Sequence, residues 1–225
     1  MSPVLKVHRI CKSYEQGSHR VEVLEHLSMQ AEPAEKIAIL GPSGCGKSTL
    51  LSLLAGLDKP DVGTVEIDGV DLAKMSEDER SRTRSEKLGI VFQQYHLMRN
   101  LTAIENVGLP LEILNEADYA DRARIALKEV GLSHRVAHFP SEMSGGECQR
   151  VAIARALVTR PSLVLADEPS GNLDHKTGEE VMDLLFSLCN EHGITLILVT
   201  HNRELVNRCD RALLLKDGAL KNLKE

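Results

Sequence analysis

A chain of 225 residues with 42% hydrophobic content can bury one large core or two small ones. Aromatic residues make up only 3% and tryptophan is absent, which leaves no stacking platform for single-stranded nucleic acid. Twenty-seven Lys+Arg against 33 Asp+Glu, a formal charge of −6, excludes a broad polyanion-binding surface, so no nucleic-acid partner is expected. No stretch reaches the roughly 18–20 uninterrupted apolar residues of a membrane span. The N-terminal segment lacks the apolar core of a secretory signal. Cys11, Cys45, Cys148, Cys189 and Cys209 are scattered and never form a C-x-x-C pair, as suits reduced cytosolic thiols. The expected chain is soluble and intracellular, and serves a membrane only by docking on something embedded there.

In chain order, Val21-Glu-Val23 and Val65-Glu-Ile67 alternate apolar with polar residues, and the second runs into an Asp68-Gly69 turn. Both predict an exposed antiparallel sheet near the N-terminus. Ile37–Leu40, Leu88–Phe92, Leu163–Ala166 and Leu196–Val199 are apolar on both faces and predict central strands of a parallel sheet covered by helices. Ser48–Leu54 reads as a helix directly after the first of these. Between Leu101 and Arg160 the pattern is helical. Ala123, Ala126, Leu127 and Val130 share one face, and Gly131 is the stop. A helix opening near Gly145 is expected to close at Pro161. With no internal repeat or low-complexity linker, the reading is an α/β core, an antiparallel β patch on one side and an inserted helical lobe.

Three motifs follow one another along this frame. Gly41-Pro42-Ser43-Gly44-Cys45-Gly46-Lys47-Ser48, with Thr49 next, fits G-x-x-x-x-G-K-[ST]. Its glycines let backbone N–H groups converge on a nucleotide's phosphates, its lysine reaches the β- and γ-phosphates, and its serine hydroxyl can ligate Mg²⁺. Ser144-Gly145-Gly146-Glu147 opens a helix and makes a second anion-sized site. Asp167 and Glu168 end an apolar strand, where one carboxylate can hold magnesium and the other can polarise a water and accept its proton. His201 ends the strand pattern at Leu196–Val199, where one imidazole can hydrogen-bond a γ-phosphate.

Together these segments resemble the nucleotide-binding subunit of an ATP-binding cassette (ABC) transporter, over essentially the whole chain. The resemblance implies an α/β P-loop NTPase fold: a RecA-like core, an antiparallel β subdomain, and a helical subdomain at about 95–160 within a single domain, 1–225. It implies ATP and Mg²⁺ as cofactors. Lys47, Gln93, Glu168 and His201 would then be catalytic, and Ser48, Gln93 and Asp167 would surround the metal. Tyr14 would stack on adenine. Ser144, Gly145, Gly146 and Glu147 would complete the site of a second copy in an ATP-bound homodimer, with Asp174 in the loop joining the two sites. Met143 departs from the family's usual leucine with little expected cost. Glu147 replaces a common glutamine, and Cys148 sits where a polar residue is frequent.

A narrower resemblance rests on Glu15-Gln-Gly-Ser18, Leu101–Val107, Leu109-Pro-Leu111, Gly131-Leu-Ser-His-Arg135, His138 and Pro140-Ser-Glu142. These are similar to the lipoprotein-releasing and macrolide-export group, most closely to its lipoprotein-releasing type. That implies a peripheral subunit on the cytoplasmic side of the inner membrane, powering separate integral membrane subunits. Macrolide or peptide export, or a regulatory cell-division-type ATPase that transmits force without transport, would carry the same motifs. Tyr95-His-Leu-Met98 is the expected partner-facing segment, and Cys45 the expected reactive thiol.

Overall fold

The computed structural model describes residues 2–17 and 19–223; Met1 and Ser18, both within segments read above, lie outside the described residues. In order, the chain forms strands β1 (Leu5–Gln16), β2 (His19–Ala31) and β3 (Lys36–Leu40), helix α1 (Lys47–Leu54), and strands β4 (Val62–Ile67) and β5 (Val70–Asp71). Helix α2 (Glu77–Lys87), β6 (Leu88–Phe92), α3 (Ala103–Ile113), α4 (Tyr119–Glu129), α5 (Gly145–Leu157) and β7 (Leu163–Asp167) follow. The chain then adds α6 (His175–His192), β8 (Thr195–Val199), α7 (Arg203–Val206), β9 (Arg211–Lys216) and β10 (Ala219–Asn222). Two compact units result: Met1–Arg80 with Thr195–Glu225, and Ser81–Ile194. The expected helical lobe falls inside the second unit, which also holds β6, β7 and α6.

In the first unit, the antiparallel sheet has the order β2-β1-β4-β5. The Asp68–Gly69 pair closes its last hairpin with φ of 48° and 77°, the two left-handed residues a tight hairpin turn demands. A second sheet segment has the order β10-β9-β3-β8, with β3 parallel to both β8 and β9. Ile37, Ala38 and Ile39 are buried, as are all five residues of β8, which is what runs apolar on both faces require. Asp217 and Gly218, at φ 51° and 73°, repeat the Asp-Gly turn between β9 and β10.

In the second unit, β6 and β7 pair in parallel, with Phe92 opposite Asp167. Helix α5 touches α3, α4, α6 and β6 and is buried on nearly every side. Ala123, Ala126 and Leu127 of α4 face inward with Val130, and Gly131 ends the helix at φ 78°. One boundary differs from expectation: α5 ends at Leu157, short of Pro161. Arg160 takes φ 57°, and its N–H donates to Leu157 O at 2.9 Å. A residue before proline is crowded out of the helical region, so the helix yields before the proline itself.

Candidate nucleotide-binding and hydrolysis site

The first unit carries the phosphate loop. Strand β3 ends at Leu40 and α1 begins at Lys47, so Gly41–Gly46 form the whole turn. Gly44 and Gly46 have φ of 78° and 100°, conformations a side chain would strain. A Cβ on Gly41 would lie 2.5 Å from Cys45 Sγ and 2.6 Å from Leu215 O; one on Gly46 would lie 2.8 Å from Val23 Cγ1. The loop is therefore a cradle that only glycine leaves open. The Lys47 ammonium donates to the Gly41 and Pro42 carbonyls at 2.9 and 2.8 Å, and stands 4.0 Å from Cys45 Sγ. Because β8 pairs with β3, its exit places Thr200 and His201 alongside: Thr200 N–H donates to Ile39 O at 3.2 Å. His201 is exposed there.

Tyr14, on β1, is held by residues that sequence reading did not single out. Its hydroxyl donates to Asp58 Oδ2 at 2.9 Å, and Lys12 Nζ sits 5.1 Å from its ring centroid. Lys12 is nearly buried and donates to Asp58 Oδ1 and Lys59 O, both at 2.8 Å. Burial opposes ionisation of Asp58, but the hydrogen bonds from Lys12 and Tyr14 outweigh it and hold the carboxyl below its usual range. Burial, then Asp58, pushes the Tyr14 hydroxyl up. Tyr14 as a whole is 43% exposed, a tethered but accessible aromatic residue.

The second unit carries the carboxylates and the other turn. Asp167 and Glu168 are half-buried at the end of β7, and Glu168 takes φ 44°. A left-handed glutamate is a costly conformation that persists only when its surroundings enforce it, and it redirects the chain just after the strand. Gly171 N–H donates to Glu168 O at 2.9 Å and helps close that turn. Gln93 leaves β6 beside it: its Nε2 donates to Asn172 Oδ1 at 3.0 Å, and Asn172 Nδ2 donates back to Gln93 O at 3.1 Å. Nothing in the spacing of Asn172 foretells this reciprocal lock with a residue 79 positions away.

Ser144 caps α5. Its hydroxyl oxygen accepts from Glu147 N–H at 3.3 Å, and Glu147 Oε2 accepts from Ser144 N–H at 2.8 Å. This is a capping box, and it is legible in the sequence as S-x-x-E. The glycines between them also serve packing. A Cβ on Gly146 would stand 2.5 Å from Thr177 Cγ2, and one on Gly145 would stand 2.8 Å from the Tyr95 hydroxyl. Asp174 caps α6, accepting from Thr177 N–H at 3.1 Å, and hydrogen bonds from the Thr177 side chain and then its backbone N–H hold its carboxyl below the usual range. Tyr95 and His96 are consecutive left-handed residues, φ 59° and 48°. Arg155 of α5 fixes both, donating to their carbonyls at 2.9 and 2.7 Å. Met98 is 50% exposed, while Leu97 is half-buried.

Ser48 in the first unit, and Gln93 and Asp167 in the second, each offer an oxygen of the kind magnesium takes. A serine hydroxyl, an amide oxygen and a carboxylate are hard oxygen ligands, and Mg²⁺ is commonly held by one or two carboxylates with the rest of its shell from phosphate and water. Among the described residues no group of three His, Cys, Asp or Glu side chains gathers as a metal cage.

A glycine-cradled phosphate loop at one helix N-terminus, a second capped Gly-Gly turn at another, and an Asp-Glu pair closing a parallel strand define a P-loop ATPase cassette. The ABC transporter family profile matches residues 24–171. The lipoprotein-releasing system ATP-binding protein LolD of Coxiella burnetii (strain RSA 493 / Nine Mile phase I) is 46% identical over 227 residues, spanning 100% of this chain and 97% of the relative. The uncharacterized ABC transporter ATP-binding protein YbbA of Escherichia coli (strain K12) is 46% identical over 219 residues, 96% of each. Among solved structures, the dimeric post-hydrolysis state of the ATP-binding cassette MJ0796 bound to ADP and Pi superposes with a TM-score of 0.89 at 39% identity, covering 98% of this chain and 99% of that one. The chain belongs to the ABC transporter family and is one of its ATPase cassettes.

Proposed function

We propose that two copies of this chain hydrolyse Mg-ATP to drive lipoprotein release through separate membrane subunits at the cytoplasmic face of the inner membrane. The observation that carries the reading is the presence of two Gly-rich turns on one chain, Gly41–Ser48 and Ser144–Gly146, each at a helix N-terminus, the geometry suited to an anion. One turn is enough to wrap a nucleotide, so the second has its use on the nucleotide of another copy. The dimeric cassette with ADP and Pi supports that arrangement. The LolD relatives in Coxiella and Legionella, at 46% and 47% identity, support the cargo. Among the described residues no helix is long and apolar enough to cross a membrane.

In this reading Tyr14 stacks on adenine and the phosphate loop, Gly41 to Thr49, wraps the phosphates. Lys47 neutralises the β- and γ-phosphates. Ser48, Gln93 and Asp167 hold the magnesium, which supplies charge neutralisation on the phosphate oxygens when bound. Glu168 orients the attacking water and takes its proton, His201 hydrogen-bonds the γ-phosphate, and Ser144, Gly145, Gly146 and Glu147 close the site from the other copy. Asp174 sets the start of α6, on which Gly146 packs. Glu168→Gln tests the assignment: ATP binding is retained, turnover falls by about a hundredfold or more, and an ATP-bound dimer accumulates on gel filtration with Mg-ATP. A variant that hydrolyses ATP at the parent rate overturns it.

A further inference from the structure

Glu147 poses an electrostatic problem that the capping box alone does not solve. Its Oε2 lies 2.8 Å from Ser144 N and 2.9 Å from Ser144 Oγ, so a full negative charge sits on the turn proposed to receive a phosphate. The Ser144 backbone N–H holds this carboxyl below its usual range against the opposing effect of burial, with the Ser144 hydroxyl and Arg135 adding to it. It is therefore ionised at neutral pH. A carboxylate at the third helical position stabilises the helix N-terminus, but it also repels any anion that comes to the same N–H groups.

Arg135 answers that charge. Its Nε donates to Glu147 Oε1 at 2.8 Å, on the oxygen that Ser144 does not use. Both side chains are part-buried, 32% and 21% exposed, where a charge pair is less screened than on open surface. The backbone around Arg135 is fixed for the purpose. Arg135 N–H donates to Leu132 O at 2.9 Å, and His138 N–H donates to Arg135 O at 3.0 Å. Val136 O and His138 O accept from Ile104 N–H and Ala103 N–H at the start of α3, at 3.0 and 2.8 Å. The loop is thus pinned to α3 while its arginine reaches α5.

We propose that Arg135 is a positioning residue of the ATP site: it neutralises the Glu147 carboxylate that caps Ser144 and holds it by its other oxygen, so that the Ser144–Gly146 turn can accept a γ-phosphate. The proposal rests on the reading of that turn as a phosphate site. With Arg135 in place, the cap on Ser144 carries no net charge, and the helix dipole faces the phosphate unopposed. Without it, the same carboxylate presents an uncompensated negative charge to the phosphate.

The test compares the parent with Arg135→Met, Arg135→Lys, Glu147→Gln and the Arg135→Met/Glu147→Gln double variant, measuring KM and kcat for Mg-ATP and the thermal midpoint. Loss of the arginine is expected to raise KM by about fivefold or more with kcat within about twofold, because ground-state binding of the anion is what suffers. Removing the glutamate as well should return KM to within about twofold of the Glu147→Gln single variant. Arg135→Lys keeps the charge and should hold KM within about threefold of the parent, and it carries the test if Arg135→Met does not fold. A merely structural bridge would leave the double variant as impaired as Arg135→Met, or would make Arg135→Lys as poor as Arg135→Met. Either result, or an unchanged KM in Arg135→Met, overturns the proposal. Ser144→Arg is measured alongside. Normal hydrolysis by that variant overturns the phosphate reading of the turn and this proposal with it. An inactive Ser144→Arg beside unaffected Arg135 variants overturns the role of Arg135 alone.

Discussion

Cys45 and Cys148 each adjoin a turn proposed to hold phosphate, yet their surroundings separate them. Cys45 is part-exposed within the loop, its sulfur packed where Gly41 lacks a side chain and 4.0 Å from the Lys47 ammonium. Cys148 is buried, and burial together with the Glu147 charge pushes its thiol up, away from the reactive thiolate. Cys209 is driven further, to about 11, mainly by burial. A small alkylating reagent should therefore modify Cys45 first and inactivate the enzyme by filling phosphate space, with Mg-ATP protecting. Peptide mapping and the residual rate report both effects. If Cys45→Ser is inactivated as fast as the parent, the assignment is wrong.

At the scale of elements, the packing of α5 on α6 depends on one missing methyl. The Cβ that Gly146→Ala would introduce meets Thr177 Cγ2 at 2.5 Å, on a β-branched side chain with few rotamers to escape into. The expected cost is about 1–3 kcal/mol in denaturant unfolding. Thr177→Ser removes that methyl while leaving the Thr177 N–H bond to Asp174, so adding it should restore at least half of the loss. No recovery would place the strain elsewhere. Asn106 shows the same economy on α3. Fully buried, its two Nδ2 hydrogens are shared among Met98 O, Leu101 O and Thr102 O, and its Oδ1 accepts from Met98 N–H. One side chain thus ties down the segment leading from Tyr95–Met98 into the helix.

For the whole molecule, the decisive experiment concerns two copies. Lys47→Ala disables the phosphate loop, and Ser144→Arg blocks the Gly-Gly turn. If each ATP lies between the loop of one copy and the turn of the other, a heterodimer of the two variants has one site with both defects and one with neither. It is expected to regain up to about half of the parent ATPase rate, while each homodimer stays inactive. Strong activity in either variant homodimer removes that motif from the site. The solved relatives bear on this directly, since two of them are dimeric cassettes.

Sequence was sufficient wherever chemistry is local. The glycine spacing of Gly41–Ser48, the S-x-x-E of Ser144–Glu147, the Asp68-Gly69 turn and the doubly apolar strands β3, β6, β7 and β8 all follow from neighbours within a few residues. The second Asp-Gly pair, at Asp217, carries the same signal, but the short strands beside it, Arg211–Lys216 and Ala219–Asn222, are only partly buried and give the sequence a weaker pattern. What only the tertiary structure decided is the set of residues that hold the motifs in place. Asp58 on Tyr14, Asn172 on Gln93, Arg155 on the Tyr95–His96 turn and Arg135 on Glu147 lie between 12 and 79 positions from the groups they hold. The physical reason is range. A turn or cap is satisfied by the next few residues, whereas a side chain's hydrogen-bond partner is set by whichever element folding brings beside it, and one sequence carries no record of that pairing.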